Sequence, residues 1–171
     1  MIGTYVGDAV TIAQSPALAA FVVPPGRYRV RVAAIDASGQ GGSVDQEIDA
    51  ELTPAGPLKL SSLVLGLARN ADFLPRLQFS TEPVAVTFLE FYGGQEGQKV
   101  AAWLEVAQTI DGPPFRVIPL VVEATSEKDK FKAMGAVATG AFPLGDFVVR
   151  AMVQVDGSPA GQVTRIIRKV G

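Results

Sequence analysis

The sequence contains no cysteine and no histidine. The first absence excludes disulfides, thiolate nucleophiles and Cys-ligated zinc or iron–sulfur sites. The second removes histidine-activated nucleophiles and the commonest metal ligand. No cofactor is expected. The best apolar runs, Ala17–Val23 and Val117–Val122, are strand-sized, so no transmembrane segment is expected either. Charge is low: the net charge is −2 over 171 residues with no basic block, which points away from nucleic acid and from anionic membrane surfaces. The opening MIGTYVGDAVTIAQ has neither a basic n-region nor an apolar h-region and is not read as a signal peptide. The expectation is either a cytosolic protein or an internal piece of a secreted one.

What is present is apolar and strand-like. Hydrophobic residues make up 48% and mean hydropathy is +0.28, which suggests burial between domains or against a partner. Residues 27–35, RYRVRVAAI, alternate, with Tyr28, Val30, Val32 and Ala34 opposite in phase to Arg27, Arg29 and Arg31. Beyond the turn-rich DASGQGG, Val44, Ile48 and Ala50 alternate with Asp45, Glu47 and Asp49. The two runs predict an antiparallel hairpin with one wet face, on which the three arginines face the three acids. A solvated charge ladder explains that face; an anion-binding arginine strip is the alternative.

TPAGP, residues 53–57, reads as a linker. Further strands are expected near Leu58–Leu67, Leu77–Ser80, Val84–Tyr92, Lys99–Thr109, Phe115–Ala124, Phe131–Thr139, Phe147–Asp156 and Gln162–Val170, separated by Gly/Pro turns. Only EKDKFKAMGA admits a helical turn. The chain also repeats itself: at a constant offset of 119, Gly26 meets Gly145, Tyr28 meets Phe147, Arg31 meets Arg150, Gly42 meets Gly161 and Val44 meets Val163.

Gly-x-Tyr followed by alternating apolar residues resembles strand F of immunoglobulin-like and fibronectin-like sandwiches, where the aromatic anchors the strand's corner to upstream backbone. Gly26, Tyr28, Gly145 and Phe147 are the corner residues, Phe147 keeping the packing without the hydroxyl bond. The fold class expected is therefore an all-β, immunoglobulin/fibronectin-like antiparallel sandwich. Residues 1–52 are read as the E-F-G-like terminal strands of a first sandwich, 53–57 as the linker and 58–171 as a complete second sandwich. One enlarged sandwich is the rival. FVVPPGRYRVRVAAIDASGQGGSVDQEIDAEL, PLKLSSLVLG and PLGDFVVRAMVQVDGSPAGQVTRIIRKV together resemble the paired β-sandwiches that follow the von Willebrand factor type A domain in secreted bacterial proteins. The resemblance implies an extracytoplasmic, non-catalytic interaction or scaffolding segment. The type A domain itself is absent, since Asp36-Ala37-Ser38-Gly39-Gln40 lacks the last Ser of its metal motif.

The candidate sites are few. Asp36, Asp111 and Asp156 sit in Gly-containing turns that account for them, and no calcium-loop spacing exists. Glu90 and Glu105 are considered as a facing carboxylate pair, against the simpler reading of two wet-face residues. Trp103 and Phe91, with Phe88 and Tyr92, are candidate ligand aromatics for a sugar ring, against the reading of a core Trp between sheets; Phe91 is opposite in phase to Phe88 and Tyr92. Val148, Arg150, Met152 and Ile166, on the outer face of the last hairpin, are the candidate partner contact. The expected partner is a protein or a neighbouring domain, with homo-oligomerisation through residues 1–52 as one form of it. A carbohydrate-binding or adhesin module is the second function considered, and an accessory subunit of a larger assembly the third.

Overall fold

The structure is a computed structural model that describes Thr4, Val6, Gly7 and residues 23–69, 72–95 and 97–171. The expected run Ala17–Val23 lies outside the described residues except for Val23. All regular structure among the described residues is β, and the chain divides into two units, Met1–Glu51 and Leu52–Gly171.

In the first unit, β1 (Arg27–Ile35) pairs antiparallel with β2 (Gly41–Asp49). The register sets Arg27, Arg29 and Arg31 opposite Asp49, Glu47 and Asp45, the ladder that residue parity dictates. Asp36 organises the turn: its Oδ1 accepts from the Ser38 amide and hydroxyl and from the Gln40 amide. At the base, the Tyr28 hydroxyl donates to the Pro24 carbonyl at 2.6 Å and the Ala50 amide to the Gly26 carbonyl at 2.8 Å.

The second unit is an antiparallel β-sandwich. One sheet runs in the order β10 (Arg116–Pro119), β9 (Val100–Ala107), β13 (Gly145–Val155), β14 (Ser158–Lys169) and β7 (Gln78–Phe79), the last pair parallel. The other runs β11 (Val121–Ala124), β12 (Lys130–Val137), β8 (Ala85–Gly93), β4 (Leu58–Leu60) and β3 (Thr53–Ala55), with β5 (Val64–Arg69) also on β8 and β6 (Asp72–Pro75) beside β5. Leu60, Leu65, Leu89 and Phe91 from this sheet meet Leu104, Val106, Val149 and Ile167 from the first in one core.

Three elements differ from the sequence reading. The stretch 53–57 is not a linker. Thr53–Ala55 is a strand of the second unit, turned by Gly56 at φ 57° into β4. The expected strand Leu58–Leu67 is broken into β4 and β5 because the Ser61 hydroxyl takes the Glu90 amide at 2.9 Å. The interruption shifts the buried set from Leu58 and Leu60 to Leu63 and Leu65. The expected strand Phe115–Ala124 changes sheets at Leu120, whose amide donates to the Ala102 carbonyl at 2.9 Å. The EKDK segment makes a turn, and the strand resumes at Lys130.

The two hairpins share one register. Tyr28 pairs with Ile48 as Phe147 pairs with Ile167, and Ala34 with Gly42 as Val153 with Gly161, each position shifted by 119. Gly26 and Gly145 both have positive φ, 154° and 138°. The match ends at a bulge between Val153 and Gln154, beyond which Asp156 and Gly157, both at positive φ, make the tight turn.

One core position is underused. The Thr87 hydroxyl is buried without a hydrogen-bond partner among the described residues. Thr87→Val is therefore expected to stabilise the second unit by about 1 kcal/mol, since it removes an unsatisfied polar group at nearly constant volume. Thermal unfolding checks this through a raised midpoint.

Candidate interaction surfaces

The wet face of the first hairpin draws two of its three arginines onto one acid. Arg29 Nη2 and Arg31 Nε both lie 2.8 Å from the Asp45 carboxylate, and Arg27 lies 3.5 Å from Asp49. Hydrogen bonds from Arg31 and then Arg29 hold the Asp45 carboxyl down at about 2. Asp36 is also lowered, by its Ser38 and Gln40 donors. A depressed folded value means that these interactions stabilise the hairpin above the ordinary carboxylate range and are lost as pH falls through the folded value. The amide dispersion of residues 27–49 is therefore expected to decline from about pH 4 downward, and Asp45→Asn to remove the Asp45 share of that decline.

The opposite, apolar face of the same hairpin is open. Val32, Val44 and Ile48 are 59%, 60% and 44% exposed. Their register equivalents in the second unit, Ala151, Val163 and Ile167, are 0%, 9% and 2% exposed. These inward positions are apolar in both hairpins; the second is covered by a facing sheet and the first, among the described residues, is not.

The four candidate contact residues do not form one surface. Val148 and Arg150 are buried within their own unit. Arg150 reaches into the β9–β10 loop, donating to the Ile110 carbonyl at 3.0 Å and the Gly112 carbonyl at 2.9 Å, and its Nη2 lies 3.1 Å from Glu105 Oε2. A guanidinium tied to two backbone carbonyls holds that loop against the outer face, which removes Val148 and Arg150 from any contact role. Met152 is half-buried and Ile166 is exposed. Val163 and Ile167 are the inward residues of β14, which puts Ile166 outside.

The aromatic candidates separate in the opposite sense to expectation. Phe91 is fully buried in the core, so it is not a ligand platform. Trp103 is not a core residue: it lies half-buried on the outer face, its Nε1–H donating to Glu105 Oε1 at 3.3 Å, with Met152 and Pro119 as its lateral neighbours. The outward aromatics of β8 are Phe88 and Tyr92.

Glu90 and Glu105 do not face each other. They sit on the outer faces of opposite sheets. Glu105 is bound to Arg150 and Trp103, whereas Glu90 accepts from Tyr92 and lies 3.2 Å from Lys130 Nζ. Lys130 also meets Glu127 at 3.1 Å and stands 5.5 Å from the Tyr92 ring centre. The Glu127 and Glu90 hydrogen bonds push Lys130 up to about 12, and burial, helped by Glu90, raises Tyr92. Asp156 accepts the Lys99 amide at 2.9 Å, a turn role. Among the described residues no three acidic side chains converge as a metal site, and no helix is long and apolar enough to cross a membrane.

Two features were missed in the sequence. Phe147 packs with Phe142 and Phe115 in an aromatic trio, ring centres 4.7 and 6.0 Å away, leaving Phe115 half-exposed at the end of the sandwich. Arg150 acts as a loop pin; its place opposite Glu105 follows from the β9–β13 register, which sequence does not show. No protein-family model matches the chain, and no curated protein is significantly similar to it.

Proposed function

We propose that the chain is a non-catalytic structural or protein–protein interaction segment of an extracytoplasmic bacterial protein. Its second unit is a rigid, immunoglobulin-like sandwich and its first carries the binding element. The observation behind this reading is the contrast between the two hairpins: the same register and alternation, with the apolar residues exposed in one and buried in the other. An amphipathic hairpin alone is at best marginally stable in water, so a face of this kind is completed by another surface. The bacterial, extracytoplasmic setting rests on the resemblance to the sandwiches that follow type A domains.

The test uses an environment-sensitive dye such as anilinonaphthalene sulfonate. The full chain is expected to bind it, and Val32→Asp with Val44→Asp to abolish most of that binding without changing the thermal transition of the second unit. Dye binding that is absent, or indifferent to these changes, refutes the reading.

A carbohydrate-binding module is the second reading, favoured by the outward position of Trp103 beside Met152 and Pro119. Trp103 is the sole tryptophan, so its fluorescence reports directly. A saturable shift on titration with soluble polysaccharide supports this reading, and an unchanged spectrum removes it.

A further inference from the structure

The structure of the second unit specifies what the first hairpin lacks. On its side away from β14, β13 pairs antiparallel with β9, and Arg150 stands directly opposite Glu105. Arg31 is the register equivalent of Arg150. Among the described residues β1 pairs only with β2, so the corresponding edge of Arg27–Ile35 is open among them. Arg27, Arg29 and Arg31 project from one face of β1; Arg27 pairs with Asp49, and Asp45 is shared between Arg29 and Arg31. Asp45 takes Nε and Nη2 of Arg31, which leaves Nη1 with donors to spare for a second acid.

We infer that the β1 edge is a docking site for an antiparallel strand of a partner protein that carries an acidic residue opposite Arg31 and apolar residues at the alternate positions. This rests on the proposed interaction role and names its chemistry. The pattern is that of β9, in which Leu104 and Val106 point inward while Trp103 and Glu105 point out. Main-chain hydrogen bonds supply the adhesion and the Arg31–acid pair selects the partner and its register. The apolar face carrying Val30, Val32, Val44 and Ile48 then closes over the partner's facing sheet. Charge argues against a second copy docking symmetrically: β1 against β1 would set arginines against arginines, and β2 against β2 acids against acids.

The probe is a synthetic peptide with the β9 sequence, KVAAWLEVAQ (residues 99–108), added to the full chain and followed by amide chemical shifts. Saturable shifts confined to residues 27–35 are expected. The peptide with Glu105→Lys should bind about five- to tenfold more weakly. The chain with Arg31→Glu should prefer that altered peptide, a charge swap that a general loss of folding would not produce. The inference is overturned by absence of binding, by binding indifferent to the swap, or by shifts at Gly145–Val155, which would report exchange into the second unit. It is also overturned by concentration-dependent shifts at both hairpin edges without peptide, which would make a second copy the occupant. If the peptide fails while Val32→Asp and Val44→Asp still abolish dye binding, the docking chemistry is wrong and the interaction role stands. If both fail, the role falls too.

Discussion

Arg150→Ala is expected to destabilise the second unit by about 3–5 kcal/mol, because it removes one member of a buried ion pair and leaves several groups unmatched at once. Glu105 loses its cation, and the Ile110 and Gly112 carbonyls lose their donors. The Thr109–Phe115 segment is then held on the sheet mainly at its end, where the Phe115 amide donates to the Val106 carbonyl and its ring packs on Phe142 and Phe147, while Ile110 is exposed. Two measurements check this. Thermal or denaturant unfolding should show the loss, and hydrogen exchange should show the 108–115 loop opening first. Arg150→Met, which fills the same space without charge, should retain more stability if paired with Glu105→Gln than alone. An unchanged unfolding midpoint for Arg150→Ala would mean that the residue is an exposed contact, as its outward phase on β13 first suggests.

Phe91→Ala is the second large effect, about 3–5 kcal/mol from lost burial and the cavity left behind. Phe91 is fully buried among Leu58, Leu60 and Leu89 of its own sheet and the facing strands, where collapse around a missing ring is limited. The same change at Phe88, half-buried on the outer face one turn of the pleat away, should cost clearly less. Denaturant midpoints of the two variants give the comparison. Similar losses, or a Phe91→Ala protein as stable as the parent, would contradict the placement of these aromatics on opposite faces of β8.

Much of the architecture follows from residue parity. The alternation of 27–35 against 41–49 is enough to predict the β1–β2 pairing and its charge ladder, since a one-residue slip would turn every arginine inward. Val100–Ala107 and Gly145–Val155 are readable in the same way, and the offset of 119 foreshadows the shared hairpin register. Parity fails where a side chain interrupts a ladder. The Ser61 hydroxyl occupies the position of a backbone partner for Glu90, and the inward phase of Leu58–Leu65 inverts across it. It also fails at Leu120, where one apolar run serves two sheets in succession.

The site residues were less legible, for a physical reason. Whether an outward residue is exposed depends on loops that fold across the sheet, and the partners of Arg150 are mostly backbone carbonyls, which carry no sequence signature. Glu90 and Glu105 alternate with apolar neighbours in the same manner, yet belong to sheets on opposite sides of the sandwich. Trp103, read as either a ligand aromatic or a core residue, lies on the outer face of β9 with Glu105, which takes its N–H, and has Met152 opposite it on β13.

Among the described residues, the sandwich draws its core from residues 55–167 and the apolar face of the hairpin is open. The direct test is light scattering and thermal unfolding on residues 52–171 beside the full chain. The expected result is that 52–171 is a folded monomer with the same cooperative transition as the full chain, and that it no longer binds the dye that residues 27–49 attract. An unfolded or aggregated 52–171 beside a stable, dye-silent full chain would show that the hairpin's apolar face belongs to the core, contradicting that expectation.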